Sequence, residues 1–352
     1  MPDFVPQERL STLAYLWRQY EAQPRQLAFR AQTLDQWRAW RDALRAASTG
    51  CLGGFPADRC ELEAEVVEVV EEQDYRREKV LFYSEPGVVV PCYVLTPRTA
   101  SPPYRPVIAL HGHGSDGARL VLGLAQGEEE QAHLRDLNYD YGRQLAQRGY
   151  MVFAPVQRDL GERMESASAF RTGSGVWEKS CQMAALVGLL LGKTLAGLRA
   201  WDVIRTVDYI RSRPEPMIEG IGCLGLSGGG AVTLYAAALD DRLSPIVICG
   251  AFCTFRASIM AIDHCPDNYV PGILRYAEMG DVAGLIAPRP LLIQHGTDDP
   301  IFPIEGVRQA YQDLARVYSL LGCPERLELD PFTGGHRFGG GKAFSWLDRW
   351  LV

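Results

Sequence analysis

The sequence predicts an α/β fold: a mostly parallel central sheet with helices on both faces, antiparallel strands at its N-terminal edge, and an N-terminal helical extension. Three observations carry this expectation. Apolar runs such as Val107-Ile108-Ala109-Leu110 and Leu291-Leu292-Ile293 lack polar alternation, so strands built from them must be covered on both faces. These runs alternate with amphipathic stretches at helical spacing, the connection that parallel strands require. One run, Ile221-Gly222-Cys223-Leu224, leads through Gly225-Leu226-Ser227-Gly228-Gly229 directly into a helical stretch. A strand-to-helix turn this tight strains its central residue and needs glycine neighbours, and it pushes the Ser227 hydroxyl out at the top of the sheet.

At 352 residues, 47% hydrophobic and 22% charged, the chain can bury a large core. A net charge of -7 with no basic tract argues against nucleic acid or an anionic membrane as partner. The first eight residues lack the charged-then-apolar layout of a signal peptide, and the longest apolar run, 184–191, is too short to span a bilayer. The expectation is therefore a cytoplasmic protein acting on a small molecule; a homo-oligomer is left open. Nine cysteines are an odd number, and several fall inside predicted strands, so they read as small buried hydrophobes rather than a disulfide framework. No Cys-x-x-Cys or His-Glu-x-x-His spacing is present, and neither a metal nor a cofactor is expected.

In chain order, Leu10, Leu13, Leu16, Trp17 and Tyr20 recur at helical spacing, a stripe read as core. A second helix starts at Thr33-Leu34-Asp35-Gln36, read as a capping box, and runs through Trp37, Trp40 and Leu44. These helices form an extension over residues 1–55, packed on a main domain over 56–352, with a Gly- and Pro-containing linker at 51–56. From residue 61 the period changes to two, giving antiparallel strands over 63–67, 79–83 and 88–95 with Glu85-Pro86-Gly87 as a turn. The strand 107–110 ends in His111-Gly112-His113-Gly114. Then come a helix near 140–148 stopped by Gly149, a strand over 150–154, a helix over 195–211, and the strand before Ser227. Strands over 245–249, 291–295 and 326–329, a helix over 307–320 and a closing helix with Phe344, Leu347 and Trp350 complete the pattern. Two long connections, 157–191 with Arg163, Trp177 and Glu178, and 252–276 with His264 and Tyr269, leave carboxyl ends of strands and are expected to wall a pocket as lid-like insertions. Their polar residues are read as loop scaffolding.

Ligands of such sheets bind at the carboxyl ends of the strands. A serine hydroxyl there is a poor nucleophile at neutral pH, so it needs a histidine to take its proton and a carboxylate to hold that histidine in the right tautomer. Only His264, His295 and His336 follow Ser227, and only His336 also follows a convincing acid loop, Gly296-Thr297-Asp298-Asp299-Pro300. His336 itself lies in the glycine-flanked loop Thr333-Gly334-Gly335-His336. Asp299, three residues after Gly296, is the preferred acid, with Asp298 as the alternative. Backbone donors for the oxyanion are expected at Gly228, the residue after the nucleophile, and at His113 in the turn after the first long apolar strand. The rings of His111 and His113 are read as incidental.

His111-Gly112-His113-Gly114, Gly225-Leu226-Ser227-Gly228-Gly229, Asp299 and His336 together resemble an α/β-hydrolase. In finer detail the chain is similar to bacterial esterases grouped near acetyl xylan esterases and dienelactone hydrolases. That likeness rests on residues 141–150, Gly161-Glu162-Arg163, residues 192–197, Asp267-Asn268-Tyr269-Val270-Pro271-Gly272 and Ile286-Ala287-Pro288-Arg289-Pro290, and it covers about 56–352. Glucuronoyl esterases look similar along much of this length, but the arginine those enzymes carry two residues after their Cys-Ser is absent. The resemblance implies cleavage of carboxylic esters through an acyl-enzyme. An amidase or peptidase using the same three residues, or a non-catalytic binding module on the same fold, are the rival expectations.

Overall fold

The computed structural model describes residues 10–114, 117–165 and 180–352. Two helices, α1 (Thr12–Ala22) and α2 (Leu34–Cys51), precede three antiparallel strands, β1 (Glu65–Glu71), β2 (Tyr75–Glu85) and β3 (Val88–Pro97). The chain continues through β4 (Arg105–Leu110), α3 (Ala118–Val121), α4 (Gly127–Leu137), α5 (Tyr141–Gln147), β5 (Tyr150–Pro155), α6 (Ser180–Leu190) and α7 (Leu195–Ser212). Then follow β6 (Ile221–Leu226), α8 (Gly228–Leu239), β7 (Leu243–Cys249), α9 (Met279–Ala283), β8 (Leu291–Gly296), α10 (Ile304–Leu320), β9 (Leu327–Phe332) and α11 (Gly341–Trp350).

The nine strands of the described residues form one sheet in the order β1-β2-β3-β5-β4-β6-β7-β8-β9. The β3–β5 pair is antiparallel, and every pair from β5 through β9 is parallel. Register aligns Leu110 with Gly225, Leu226 with Cys249, Cys249 with Gln294, and Gly296 with Phe332. The turns that leave β4, β6, β7, β8 and β9 therefore gather along one edge, the place where a ligand meets such a sheet.

The parallel strands are covered on both sides, as continuous apolar runs require. Cys223, Ile246, Ile248, Leu291 and Ile293 face a core shared with α7, α8, α9 and α10, while the intervening Leu224, Val247 and Leu292 face a second core against α5 and α11. The N-terminal helices join the first of these cores through Phe29, Trp40, Leu44 and Leu52. Trp40 Nε1 donates to the Leu27 carbonyl at 2.8 Å, and the Phe29 amide donates to Asp281 Oδ1 at 2.8 Å.

Three expectations change. The apolar stripe of α1 is not core, because none of its residues is buried and Leu13 and Leu16 are 60% and 48% exposed. Half of the capping box forms: Thr33 Oγ1 accepts from the Gln36 amide, but Gln36 Oε1 takes the Gln32 amide instead of that of Thr33. The apolar run at 184–191 falls largely in α6, a helix the periodicity did not single out. Among the described residues no single helix is long and apolar enough to cross a membrane.

Candidate active site

Ser227 stands between β6, buried throughout, and α8. Its backbone has φ 58° and ψ -124°, a region that costs a non-glycine residue on the order of 1–3 kcal/mol and persists only where the surroundings impose it. Two bonds impose it. The Ser227 amide donates to the Cys249 carbonyl at 2.9 Å, tying the turn to β7, and the Ser227 carbonyl accepts from the Ala231 amide at 2.9 Å, starting α8. The side chain makes no capping bond to the helix, which leaves the half-buried hydroxyl available for chemistry. The glycines are needed because of proximity: a Cβ on Gly225 would lie 2.4 Å from the Gly229 carbonyl, and one on Gly229 only 2.0 Å from the Leu110 carbonyl. Gly229→Ala is therefore expected to destabilise the fold by about 3 kcal/mol or more, at the upper end for overpacking, since backbone and not a rotamer must yield. Urea unfolding of the purified variant measures this.

The turn after β4 presses on the same elbow. Its Leu110 carbonyl accepts from Tyr141 Oη at 2.6 Å, and its Gly112 amide donates to Tyr139 Oη at 2.6 Å. His111 is fully buried; its Nε2 accepts the Gln157 amide at 2.9 Å while Nδ1 faces the Gly112 carbonyl at 2.8 Å. Burial pushes this ring down to about 4, so at neutral pH it is an uncharged tie between the turn and the segment after β5. A Cβ on Gly228 would come within 2.9 Å of His113 Nδ1, which places the two expected oxyanion residues side by side. The His113 ring is not incidental, since its Nε2 meets Asp267 Oδ2 at 2.8 Å. Burial alone would lower its pKa, but the Asp267 carboxylate outweighs that and raises it to about 9.

On the other side of Ser227, β8 delivers the acid. A Cβ on Gly296 would sit 2.2 Å from the Gly335 carbonyl, so the absence of a side chain lets the histidine loop lie directly on the end of β8. The Thr297 and Asp298 amides donate to the Phe332 and Gly334 carbonyls, both at 2.9 Å, and pin the loop there. The two aspartates separate clearly: Asp298 is exposed, whereas Asp299 is buried with Oδ2 2.7 Å from His336 Nδ1. Asp299 Oδ1 accepts from the Ile301 and Phe302 amides. Burial pushes its carboxyl up, but the His336 hydrogen bond and charge, with the Ile301 amide, win and hold it below the usual carboxylate range. An ionised carboxylate only accepts, so Nδ1 carries the proton and Nε2 presents its lone pair. That Nε2 is buried and has no hydrogen-bond partner among the described residues. Its ring lies over Gly250, the residue after the carbonyl that holds the Ser227 amide, and stacks on Phe302 with centroids 6.0 Å apart.

Sequence reasoning missed the residues that brace these turns. Tyr139, Gln157 and Phe302 carry no motif, and Asp267 was quoted only within a resemblance. Arg163 donates to the Val156 carbonyl at 2.9 Å and to Asp202 Oδ2 at 2.8 Å, tying the segment after β5 to α7. Trp177 and Glu178 lie outside the described residues. His264 Nδ1 meets Asn268 Nδ2 of its own segment at 3.3 Å and its ring packs edge-on to Phe302 in the loop after β8, while Tyr269 Oη donates to the Ile259 carbonyl at 3.0 Å. All nine cysteines are free thiols. A cavity of about 480 Å³ between α1 and residues 268–275 has none of Ser227, Asp299 or His336 in its lining.

The parallel sheet, the strained serine between β6 and α8, and the acid and histidine after β8 and β9 define an α/β-hydrolase. The chain belongs to the Abhydrolase family, whose model matches residues 11–332, a span that takes in the N-terminal helices and ends just before His336. It is 27% identical over 291 residues to YtaP of Bacillus subtilis (strain 168), which is named as a hydrolase; the match spans 81% of this chain and 90% of that one. In fold it is similar to a Bacteroides fragilis NCTC 9343 protein assigned as an acetyl xylan esterase, with a TM-score of 0.74, 16% identity, and coverage of 92% of this chain and 82% of that one. A glucuronoyl esterase from Solibacter usitatus matches with a TM-score of 0.68 and 16% identity over 93% and 96% of the two chains.

Proposed function

We propose that the chain is a serine esterase that cleaves carboxylic esters through an acyl-enzyme. The observation that carries this reading is the buried Nε2 of His336, without a partner among the described residues, whose other nitrogen is held by Asp299, at the strand edge that carries Ser227. In the first step Ser227 Oγ bonds to the ester carbonyl carbon while His336 Nε2 takes the hydroxyl proton. Negative charge then builds on the carbonyl oxygen. The Gly228 amide, at the positive end of α8, and the His113 amide receive it, each worth about 3 kcal/mol of barrier. Collapse breaks the bond to the alcohol, which leaves with the proton from His336. Water, deprotonated by the same nitrogen, then attacks the acyl carbon and restores Ser227 and the free acid. Asp299 orients the ring and offsets its charge while it is protonated.

The names of the similar proteins, acetyl xylan and glucuronoyl esterases among them, support ester over amide as the bond cleaved. The test is a panel of short p-nitrophenyl esters, acetylated sugars, lactones and matching amides, combined with a fluorophosphonate probe. Turnover of esters in preference to the amides, with the probe found on Ser227 by peptide mass spectrometry, is the expected result. Labelling elsewhere, or no turnover of any ester, overturns the reading.

A further inference from the structure

Beside the serine elbow, and outside the chemistry just described, four side chains of metal-ligating type converge from three parts of the chain. His113 lies in the turn after β4, Cys181 in the first turn of α6, and Cys265 and Asp267 in the 252–276 connection. One donor atom from each lies within 4.8 Å of every other. Two of these distances are closer still, with Cys181 Sγ 3.1 Å from Cys265 Sγ and His113 Nε2 2.8 Å from Asp267 Oδ2. Cys181 and Asp267 are buried, and the Asp267 side chain has no exposure. We propose that these four residues form a zinc site, with tetrahedral coordination by His113 Nε2, Cys181 Sγ, Cys265 Sγ and a carboxylate oxygen of Asp267.

The donor set selects the metal class. Two thiolates and an imidazole favour a borderline-soft cation of tetrahedral preference over calcium or magnesium, which take hard oxygen donors. Size agrees after a small adjustment. Zinc bonds of about 2.3 Å to sulfur and 2.0–2.1 Å to nitrogen or oxygen put tetrahedral neighbours about 3.8 Å apart for two sulfurs and about 3.3 Å apart for nitrogen and oxygen. The sulfur pair opens by about 0.7 Å and the nitrogen–oxygen pair by about 0.5 Å to admit the ion, and the His113–Asp267 hydrogen bond is exchanged for two bonds to a shared centre.

Charge and outer-shell bonding agree as well. Arg199, with its side chain 3% exposed, donates through Nη1 to Asp267 Oδ2 at 2.5 Å and through Nε and Nη2 to the Arg158 carbonyl at 3.0 and 2.9 Å. Asn268 Nδ2 donates to Asp267 Oδ1 at 2.7 Å. A ligating carboxylate is normally held in this way by further hydrogen bonds. The zinc dication, two thiolates, one carboxylate and the Arg199 guanidinium sum to zero, so the buried cluster carries no net charge. Binding releases the two thiol protons and the His113 Nε2 proton that faces Asp267, and takes His113 as a neutral ring with its remaining proton on Nδ1. The ion would fasten α6 and the 252–276 connection to the turn that holds His113. It thereby positions the His113 amide, a consequence that depends on the proposed esterase chemistry, whereas the site itself does not.

The test uses the full chain, reduced with a phosphine, loaded with zinc sulfate and exchanged into chelator-free buffer. Elemental mass spectrometry is expected to find about one zinc per chain, falling at least tenfold in the double variant Cys181→Ser/Cys265→Ser and in Asp267→Asn. Cobalt(II) added to the reduced wild type is expected to give sulfur-to-cobalt charge-transfer bands and intense tetrahedral visible bands. The cobalt spectrum of the wild type decides the matter even if a variant fails to fold. Zinc no higher in the wild type than in the double variant, or a cobalt spectrum without sulfur bands, overturns the site. So does a Cys181–Cys265 disulfide found by thiol titration and peptide mapping together with failure of the reduced protein to retain zinc. None of these readouts depends on ester turnover, so a failed metal site and a failed esterase reading are told apart.

Discussion

Ser227→Ala is expected to lower kcat/KM for short p-nitrophenyl esters by about 10⁵-fold, with circular dichroism and unfolding midpoint close to those of the wild type. The size follows from the role: loss of a serine nucleophile leaves only binding and oxyanion stabilisation, and in serine hydrolases the residual advantage over water is about 10³–10⁴. The fold is expected to persist because the strained conformation is imposed by the Cys249 carbonyl and the start of α8, not by the hydroxyl, which makes no capping bond. The substitution removes one oxygen from a half-buried position and creates no unsatisfied partner apart from the His336 Nε2 that already lacks one. A variant that keeps more than about a tenth of wild-type kcat/KM would exclude Ser227 as the nucleophile.

Asp299→Asn is expected to reduce kcat by about 10⁴-fold, while Asp298→Asn stays within about twofold. An amide at position 299 turns the His336 ring toward the wrong tautomer: the Asn nitrogen donates to Nδ1, moves the proton to Nε2, and leaves no lone pair for the serine. Asp298 is exposed and contributes its amide, not its carboxylate, to the loop, so its side chain has no comparable role. The pair also makes a prediction about pH. Asp299 has a folded pKa below its ordinary value of 3.8, so its contribution to stability is complete above that value and is lost as pH falls through the lower, folded one. The stability gap between wild type and Asp299→Asn, measured by urea unfolding, should be constant from neutral pH down to about 5 and shrink below about 4. A gap that widens on acidification would mean that the pairing with His336 does not stabilise the ionised form.

Much of this site was legible before the fold. Gly225-Leu226-Ser227-Gly228-Gly229 is tightly constrained, since a Cβ at Gly229 or Gly225 would lie 2.0 or 2.4 Å from neighbouring backbone, and such constraints write themselves into composition. The chain order of serine, acid and histidine, each after an apolar strand, is a one-dimensional signal of a parallel sheet whose strands all end on one edge. Asp299 and not Asp298 meets His336, a difference set by where the backbone points two adjacent aspartates in one turn. Other features were not legible. The α1 stripe reads as core by period alone, and its exposure depends on the absence of a facing surface. Tyr139, Gln157 and Phe302 act through hydrogen bonds and stacking made by side chains without any spacing rule.

The sequence by itself determined the class of fold, the glycine-bounded serine turn, and the loops that carry His336 and Asp299, because periodicity and steric exclusion act over a few residues and need no partner. The tertiary structure decided which carboxylate meets His336, what holds the turn after β4 in place, and the meeting of His113, Cys181, Cys265 and Asp267. Cys181 and Cys265 are 84 positions apart, and His113 and Asp267 are 154 apart. Only closure of the chain over the sheet edge brings such groups within bonding distance, and nothing in the local sequence records it.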